Sequence, residues 1–435
     1  MFKRRIDGHL KKWAEGSPGK CLLVKGPRRV GKTTAIREFG KTYDSFVELD
    51  LQNDPSGRMI FSCEPNINFL LMMFAVYMPD ARFIPGRTLL FLDEIQECPE
   101  ALRSLPFWEE DGRFDVIASM SLPVQSKRGI SDAPEDSVPS YGMRAMSFEE
   151  FLWANGQQTK MIESLRLFFL SRRRVPDALN FRMMELLRSY MVVGGMPEAV
   201  EAFISGGSAF SCHEKQQEIL KDIRYDIARY APAEVRTKAE KCYLSLPLQL
   251  SKENRKFQYS ELEKGGNARK YKSSLDWLLK AFLVVRSDAV ERIELPLSDC
   301  RSQDNFRLYA SDIGLLTAMY DFVVSDQLLK DEFDRTMAFV RGGLYEALIA
   351  DILYKNSHSS LCFKKDTKGS FEMEFIIEEN GQAVPVEVKP RNSRSKSLDL
   401  ALSGEGIPYG YRLTEGNIEV SGKKIILPLY MAMFL

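Results

Sequence analysis

Residues 26–33, GPRRVGKT, carry the pattern Gly-x-x-x-x-Gly-Lys-Thr. The apolar run CLLVK (21–25) stands directly before this stretch, and the helix-forming TTAIREF (33–39) follows. A strand, a glycine-rich turn and a helix let backbone N–H groups surround phosphate oxygens, and the helix N-terminus adds a positive dipole. The sequence therefore predicts a phosphate-binding loop, in which Lys32 contacts the β- and γ-phosphates and Thr33 ligates magnesium. The residues predicted to line this loop are Gly26, Pro27, Arg28, Arg29, Val30, Gly31, Lys32, Thr33 and Thr34.

An acidic pair ends a second apolar run, TLLFLDE (88–94). A buried strand has no structural reason to end in two acids, whereas a phosphate site needs carboxylates at such a place. Asp93 is predicted to complete the magnesium shell and Glu94 to polarise an attacking water. The structural alternative is an ordinary solvated strand end. After the next apolar run, Ser119 and Ser121 are candidates to touch the γ-phosphate or the water, and a plain strand-end serine is the alternative for each.

Composition limits the class of protein. A chain of 435 residues exceeds one ordinary core, so two to four domains are expected. Lys and Arg (60) balance Asp and Glu (60), so any contact with nucleic acid has to come from a local patch. The seven cysteines are dispersed and odd in number, which favours a reducing, cytoplasmic location. The longest apolar run, 69–78, is half of the roughly 20 residues of a membrane span, so no membrane partner is expected.

The order of patterns along the chain predicts an α/β fold class with four parts. Alternating strands and helices in residues 1–156 predict a parallel-sheet phosphate-loop core, and the helical spacing of 157–232 predicts a helical lid. Helices followed by two strand-like runs predict a winged-helix domain at 233–330. The remaining residues, 331–435, predict a separate α+β domain.

A hairpin in the last part carries a second acidic group. In FEMEFIIEENGQAVPVEVKP (371–390), apolar and polar residues alternate on either side of the two-residue turn Asn380–Gly381. The residue numbers of two facing residues therefore add up to 761. One face is apolar, and the other places Glu374 opposite Glu387 and Glu372 opposite Lys389. Two facing carboxylates repel unless a cation or a shared proton relieves them. The sequence leaves two interpretations open: a divalent-metal site flanked by lysine, or a solvated face that Lys389 neutralises.

The chain resembles a family of bacterial and archaeal AAA-type ATPases whose C-terminal domain ends in a restriction-endonuclease-like module. The resemblance covers nearly the whole length and depends on the order of its segments. These are GPRRVGKT, LLFLDEIQ (89–96), MSFEEFLWA (146–154), YMVVGGMPEAV (190–200), LPLQLSKENRKF (246–257), RLYASDIGLL (307–316) and the acidic hairpin. It implies that ATP and Mg²⁺ bind at the phosphate loop, with Asp93 and Glu94 as the acidic pair.

The resemblance also implies a role for the hairpin. The Glu…Asp…Glu-x-Lys arrangement of restriction-endonuclease-like domains is matched by Glu346, Glu374, Glu387 and Lys389, with Glu346, Glu374 and Glu387 as ligands of a second divalent metal. Glu374 departs from the usual aspartate, and its extra methylene displaces the carboxylate by over an ångström. A catalytic role is thereby implied for Glu374, Glu387 and Lys389, alongside Glu94 and Lys32.

Basic residues mark two candidate phosphate-backbone contacts, each with a solvated surface as the equal alternative. They are Lys389, Arg391, Arg394 and Lys396 after the hairpin, and Lys252, Arg255, Lys256, Arg269, Lys270 and Lys272 in the winged-helix region. Ala145 stands where the family has proline, so Arg128 and Arg144 are only candidates for an arginine finger. The resulting hypothesis is an ATPase whose nucleotide state controls a C-terminal module acting on or near DNA. The alternative is a nucleotide-switched scaffold that binds protein partners and cuts nothing. The sequence does not indicate the oligomeric state.

Overall fold

The computed structural model describes residues 1–16, 19–62, 66–122, 138–332, 337–356, 358, 360–366, 371–389, 396–404 and 406–435. Contacts divide the chain into two units. The first holds residues 1–144 and 280–282, and the second holds residues 145–279 and 283–435. The three C-terminal parts expected from the sequence lie in the second unit apart from residues 280–282, and the boundaries between them remain predictions.

The first unit is built on a parallel sheet. Its strands within the described residues are β1 (Cys21–Lys25), β2 (Ser45–Asp50), β3 (Thr88–Asp93), β4 (Asp115–Met120) and β5 (Ser140–Gly142). They are arranged in the order β2-β3-β4-β1-β5, and every adjacent pair is parallel. All residues of β3 and β4 are buried, as expected for central strands that are covered on both faces. The parallel-sheet phosphate-loop fold predicted for this part is confirmed.

Helices of the first unit complete its core. They are α1 (Arg5–Ala14), α2 (Lys32–Gly40), α3 (Ile67–Tyr77) and α4 (Pro99–Asp111). Phe74 of α3 packs edge-on against Trp108 of α4, with 6.3 Å between the ring centres. The ring centres of Trp108 and Phe114 are the same distance apart. These rings join the buried side chains of β3 and β4 in one apolar cluster. Most of the long apolar run in the sequence lies in α3, which buries only one side, through Ile67, Leu70 and Phe74. None of the described helices is long and apolar enough to cross a membrane.

The strand order determines which side chains meet. Since β4 lies between β1 and β3, the residues after β4 stand between the phosphate loop and the acidic pair. The carboxyl ends of parallel strands share one edge of the sheet, where ligands of open α/β sheets bind. The loop after β1, Asp93, Ser119 and Ser121 are therefore gathered at one edge.

The second unit begins with helices, as the sequence predicts. They are α5 (Phe148–Ala154), α6 (Thr159–Ser171), α7 (Asp177–Val193), α8 (Pro197–Gly206), α9 (Ala209–Tyr230), α10 (Ala233–Leu244), α11 (Leu246–Leu250) and α12 (Ala268–Lys280). Farther along the chain lie α13 (Ile313–Ala318), α14 (Phe322–Lys330), α15 (Ala338–Lys355) and α16 (Lys396–Ser403).

A mixed sheet forms the rest of this unit. Its described strands are β6 (Val284–Val290), β7 (Arg301–Ala310), β8 (Leu361–Lys365), β9 (Glu372–Glu379), β10 (Gln382–Val388), β11 (Gly410–Thr414), β12 (Glu419–Ser421) and β13 (Lys424–Pro428). Their order is β12-β13-β11-β10-β9-β8-β6-β7. The two strands expected as a separate ribbon, β6 and β7, are antiparallel, but β6 also pairs in parallel with β8. Because β6 is built into the larger sheet, the winged-helix identity of this region remains a prediction.

The hairpin has the predicted register. Gln382 pairs with Glu379, Val384 with Ile377 and Val386 with Phe375, so facing positions sum to 761. Asn380 and Gly381 both have positive φ, at 51° and 71°, as a tight two-residue turn of this hand requires. The register predicted from the turn is confirmed.

A buried polar cluster explains two motifs to which the sequence assigned no chemistry. Lys355 of α15 donates hydrogen bonds to Asp312 (2.9 Å) and Tyr190 (3.0 Å) and pairs with Asp351 at 2.8 Å. Asp312 also accepts from the Gly195 amide at 2.7 Å and caps α13. The Gly-Gly-Met-Pro and Ser-Asp-Ile-Gly segments thus meet around one buried lysine, which gives both a structural role.

Candidate functional site

The phosphate loop connects β1 to α2 with a backbone that only glycine permits at two points. Gly31, the residue before α2, has φ 95°, where a side chain is strained. Gly26 lies against the backbone of Met143, and a Cβ added there would stand 1.9 Å from the Met143 carbonyl oxygen. The Gly26 amide donates to the Met120 carbonyl at 3.1 Å, which ties the loop to the end of β4. The loop thus has the shape that backbone phosphate binding requires.

Lys32 is buried and turned into this loop. Its ammonium group donates to the carbonyls of Gly26 (2.9 Å) and Pro27 (2.8 Å) and to the Ser121 hydroxyl (2.7 Å). Burial lowers the pKa of Lys32 to about 8, although the nearby Glu94 and Asp93 act in the opposite direction. The ammonium group therefore stands in the loop with partners that phosphate oxygens can replace.

Thr33 and Asp93 bring side-chain oxygen atoms together beside the phosphate loop. The Thr33 hydroxyl donates to Asp93 Oδ2 at 2.9 Å, and the Ser119 hydroxyl donates to Asp93 Oδ1. Burial raises the pKa of Asp93, and the hydrogen bonds from Ser119 and Thr33 oppose this rise. Mg²⁺ is usually held by one or two protein oxygens together with phosphates and waters. The donor pair Thr33 and Asp93 fits that requirement.

Glu94 follows Asp93 with an unusual backbone. Its φ of 52° and ψ of 50° lie in the left-handed region, which is uncommon for a non-glycine residue and occurs often at functional sites. The Ser121 hydroxyl donates to Glu94 Oε1 at 2.6 Å, the Gln96 amide donates to Oε2, and the Ser119 hydroxyl accepts from the Glu94 backbone N–H at 3.0 Å. The carboxylate is thus held by two neutral donors beside the phosphate loop.

Two further polar residues at this edge were not expected from the sequence. Gln96 holds Glu94, and Gln52, just after β2, accepts from Arg28 of the loop. The sequence signals a role at the site only by position: Gln52 lies two residues after the end of β2, and Gln96 lies two residues after Glu94. Of the arginine-finger candidates, Arg128 lies outside the described residues, and the Arg144 carbonyl accepts from Arg4 at 2.8 Å.

The C-terminal acids are buried and have basic partners. Glu374 accepts from Lys389 at 2.7 Å and from the Val388 amide at 3.1 Å, and Glu387 lies 3.8 Å from Arg412. Lys389 thus contacts Glu374, whereas the hairpin pattern had placed it opposite Glu372. The solvated-face interpretation is wrong about exposure, because Glu374 and Glu387 are only 2% and 1% exposed.

Glu346 on α15 has its own basic partners. It accepts from Arg307 at 2.9 Å and also from Arg255. Within the described residues, no three His, Cys, Asp or Glu side chains are arranged to hold a metal ion. The second metal implied by the resemblance has no ready ligand set here.

The basic residues proposed for a phosphate backbone are mostly engaged or outside the described part. Lys252 pairs with Glu261, and Lys270 pairs with Glu263. Arg255 is drawn inward to Glu346. Arg391 and Arg394 lie outside the described residues, and Lys396 begins α16. Lys256, Arg269 and Lys272 remain candidates.

The first unit has the fold of a P-loop nucleoside triphosphatase domain. Its parallel sheet has the order β2-β3-β4-β1-β5, a phosphate loop follows β1, and an acidic pair lies at the end of β3. Residues 18–152 match the family described as AAA domain, which supports an AAA-type P-loop ATPase fold for this part of the chain. Residues 184–326 match a family described as Domain of unknown function (DUF8612). No curated protein matches the chain.

Solved structures with a similar arrangement are distant. A Walker-type ATPase of Pyrococcus abyssi is 12% identical with a TM-score of 0.41, covering 73% of this chain and 96% of its own. The Orc1 protein of Aeropyrum pernix, solved in complex with DNA, is 11% identical with a TM-score of 0.30, covering 76% and 93%. Cdc6p of Pyrobaculum aerophilum is 13% identical with a TM-score of 0.26, with the same coverage. At these scores the likeness says nothing further about this chain.

Proposed function

We propose that the protein binds ATP with Mg²⁺ and hydrolyses it at the edge of the first sheet. Three hydrogen bonds carry this proposal. The Thr33 hydroxyl donates to Asp93 at 2.9 Å. The Ser121 hydroxyl accepts from Lys32 at 2.7 Å and donates to Glu94 at 2.6 Å. Phosphoryl transfer needs positioning and charge stabilisation more than covalent chemistry. Each of these residues supplies one of those needs.

The roles of the side chains follow from their contacts. Lys32 exchanges its carbonyl partners for the β- and γ-phosphates, and the loop amides hold the same phosphates. Thr33 and Asp93 would hold Mg²⁺, which would neutralise charge that develops on the phosphates. Glu94 orients the attacking water and accepts its proton as the water oxygen bonds to the γ-phosphorus, while Ser121 and Gln96 hold the carboxylate in place. The bond between the γ-phosphorus and the bridging oxygen breaks, which releases ADP and phosphate.

Glu94→Gln tests the proposal, because it keeps the shape of the site and removes the charge. The variant is expected to bind ATP as the wild type does and to lose turnover by about 10²–10⁴-fold. Binding is measured by titration calorimetry with Mg-ATP, and turnover by phosphate release. Glu38→Gln, an exposed glutamate of α2 paired with Lys41, is the matched control and keeps full turnover. A wild-type protein that binds ATP but releases no phosphate would reduce the proposal to nucleotide binding.

We also propose that nucleotide state controls the second unit, and that this unit binds a partner without cutting nucleic acid. The pairing of Glu346, Glu374 and Glu387 with arginine or lysine favours this alternative over a nuclease. The test is a cleavage assay with Mg²⁺ and Mn²⁺ on single- and double-stranded DNA and RNA, with and without ATP. Cleavage that Lys389→Ala abolishes would favour the nuclease, and binding of DNA without cleavage would identify the partner as DNA.

A further inference from the structure

Arg307, on β7, is the most deeply buried charge in the acidic region of the second unit. Its side chain is 0% exposed and lies over the Phe363 ring, with the guanidinium carbon 4.2 Å from the ring centre. One terminal nitrogen donates to Glu346 Oε1 at 2.9 Å, and the other donates to Glu372. The neighbouring carboxylates raise the pKa of Arg307 further, against the effect of burial. A permanent positive charge therefore stands between two of the acids.

Both oxygens of Glu346 are engaged with these neighbours. Oε1 accepts from Arg307 and from the Tyr309 hydroxyl at 2.5 Å, and Oε2 accepts from Arg255. Burial alone would raise the pKa of Glu346, but Arg307, Arg255 and Tyr309 together lower it to about 2. The carboxylate is thus ionised and its hydrogen bonds are made within the chain.

The remaining acids of the group have counter-charges as well. Glu372 pairs with Lys365 at 3.0 Å in addition to Arg307, and Lys389 covers Glu374 at 2.7 Å. Burial lowers the pKa of Lys389, but Glu374, and after it Glu387 and Glu372, raise this pKa above its usual value. The three carboxylates of Glu346, Glu372 and Glu374 thus have four basic partners, so their charge is offset without an ion from solvent.

We propose that Arg307 is an internal counter-ion, which holds Glu346 and Glu372 and supplies at Glu346 the positive charge that a divalent metal would bring. A guanidinium stays charged at every accessible pH and forms bidentate contacts with carboxylates, so it does not leave the site as a lysine can. A divalent ion beside it would be repelled in a region of low dielectric. The residues present therefore do not fit the metal that a restriction-endonuclease-like domain implies. The acidic group is a metal-free ion network that joins β7, α15 and β9.

Metal titration of the full chain tests this directly. Calorimetry with Mn²⁺ is done without nucleotide on a Lys32→Ala background, so that metal bound with nucleotide at the phosphate loop does not contribute. No saturable uptake that depends on the C-terminal acids is expected. Saturable Mn²⁺ binding that disappears in the Glu374→Gln/Glu387→Gln double variant would overturn the proposal.

Replacing the counter-ion tests the same idea in the opposite direction. Arg307→Ala vacates the position between Glu346 and Glu372 and leaves each carboxylate with one basic partner, Arg255 or Lys365. This variant is therefore expected to gain a Mn²⁺-dependent rise in melting temperature that the wild type lacks. Arg307→Lys keeps the positive charge and should not gain the metal response. Arg286→Ala is the second control: it removes a half-buried arginine of the adjacent strand β6 that pairs with Asp288 on the same strand, and it should not gain the response either. A folded Arg307→Ala variant with no metal response would contradict the proposal. If Arg307→Ala does not fold, the titration of the chain with Arg307 intact decides.

Discussion

The Lys32 ammonium group donates to the Ser121 hydroxyl at 2.7 Å, and the same hydroxyl donates to Glu94 at 2.6 Å. One serine at the end of β4 therefore joins the cation of the phosphate loop to the carboxylate that is proposed to orient water. When phosphate takes the place of Ser121 on Lys32, the serine keeps Glu94 as its partner. Nucleotide binding and placement of the carboxylate are linked through this side chain.

Ser121→Ala should therefore affect turnover more than binding. We expect ATP affinity within about threefold of the wild type and a fall in kcat of about tenfold or more, because Glu94 loses one of its two side-chain donors. Phosphate release under saturating ATP measures the effect. Ser104→Ala, a buried serine bonded only within its own helix, is the control. Equal losses in affinity and kcat would argue against a positioning role.

Lys32→Ala should weaken ATP binding. Loss of a charge-assisted contact worth about 1.5–3 kcal/mol corresponds to roughly a 10- to 150-fold higher Kd. Titration calorimetry with Mg-ATP measures it, and circular dichroism checks that the variant is folded. Unchanged affinity in a folded variant would exclude the phosphate loop as the binding site.

The pKa of Lys32 predicts how ATP binding depends on pH. In the nucleotide-free protein this pKa is about 8, and phosphates favour the charged form. Binding above pH 8 must then take up a proton, so affinity should fall by up to about tenfold per pH unit as pH rises past 8. Calorimetry in buffers of different ionisation enthalpy detects the uptake. The pH dependence should be absent in Lys32→Arg, because the guanidinium remains charged.

Gly26→Ala should abolish nucleotide binding or unfold the first unit. The added Cβ would stand 1.9 Å from the Met143 carbonyl oxygen, and backbone has to move to admit it. Gly8→Ala is the matched control, since a Cβ at Gly8 in α1 meets nothing within 4 Å. That control should be more stable by about 0.5–1 kcal/mol. Thermal melting and ATP titration of the two variants provide the comparison.

Glu346→Gln should lower the free energy of unfolding by about 3–5 kcal/mol at neutral pH, because it leaves buried arginines short of a counter-charge. The folded-state pKa of Glu346 is lowered from 4.5 to about 2. Its stabilising contribution is therefore complete above pH 4.5 and is lost as pH falls toward 2. Urea unfolding at pH 6 and pH 3 should show a smaller difference between wild type and variant at the lower pH. A difference that appears only with added metal would favour a metal site.

Contiguous patterns made the first unit and the hairpin predictable from sequence. The two glycines of GPRRVGKT allow the positive φ angles that the phosphate loop needs. Asn380 and Gly381 also have positive φ, and this two-residue turn determines the hairpin register. The contacts of Glu346 were out of reach, because Arg307 lies 39 positions away and meets it only when β7 packs on α15.

The parallel pairing of β6 with β8 has a practical consequence for fragments of this protein. Residues 184–326, which match a family of their own, contain β6 and β7 but end before β8 at Leu361–Lys365. A fragment cut at those limits would leave one side of β6 with unpaired N–H and C=O groups, open to pairing with other chains. Soluble expression of the DUF8612 segment should therefore require the C-terminal strands as well, and the shorter piece should aggregate.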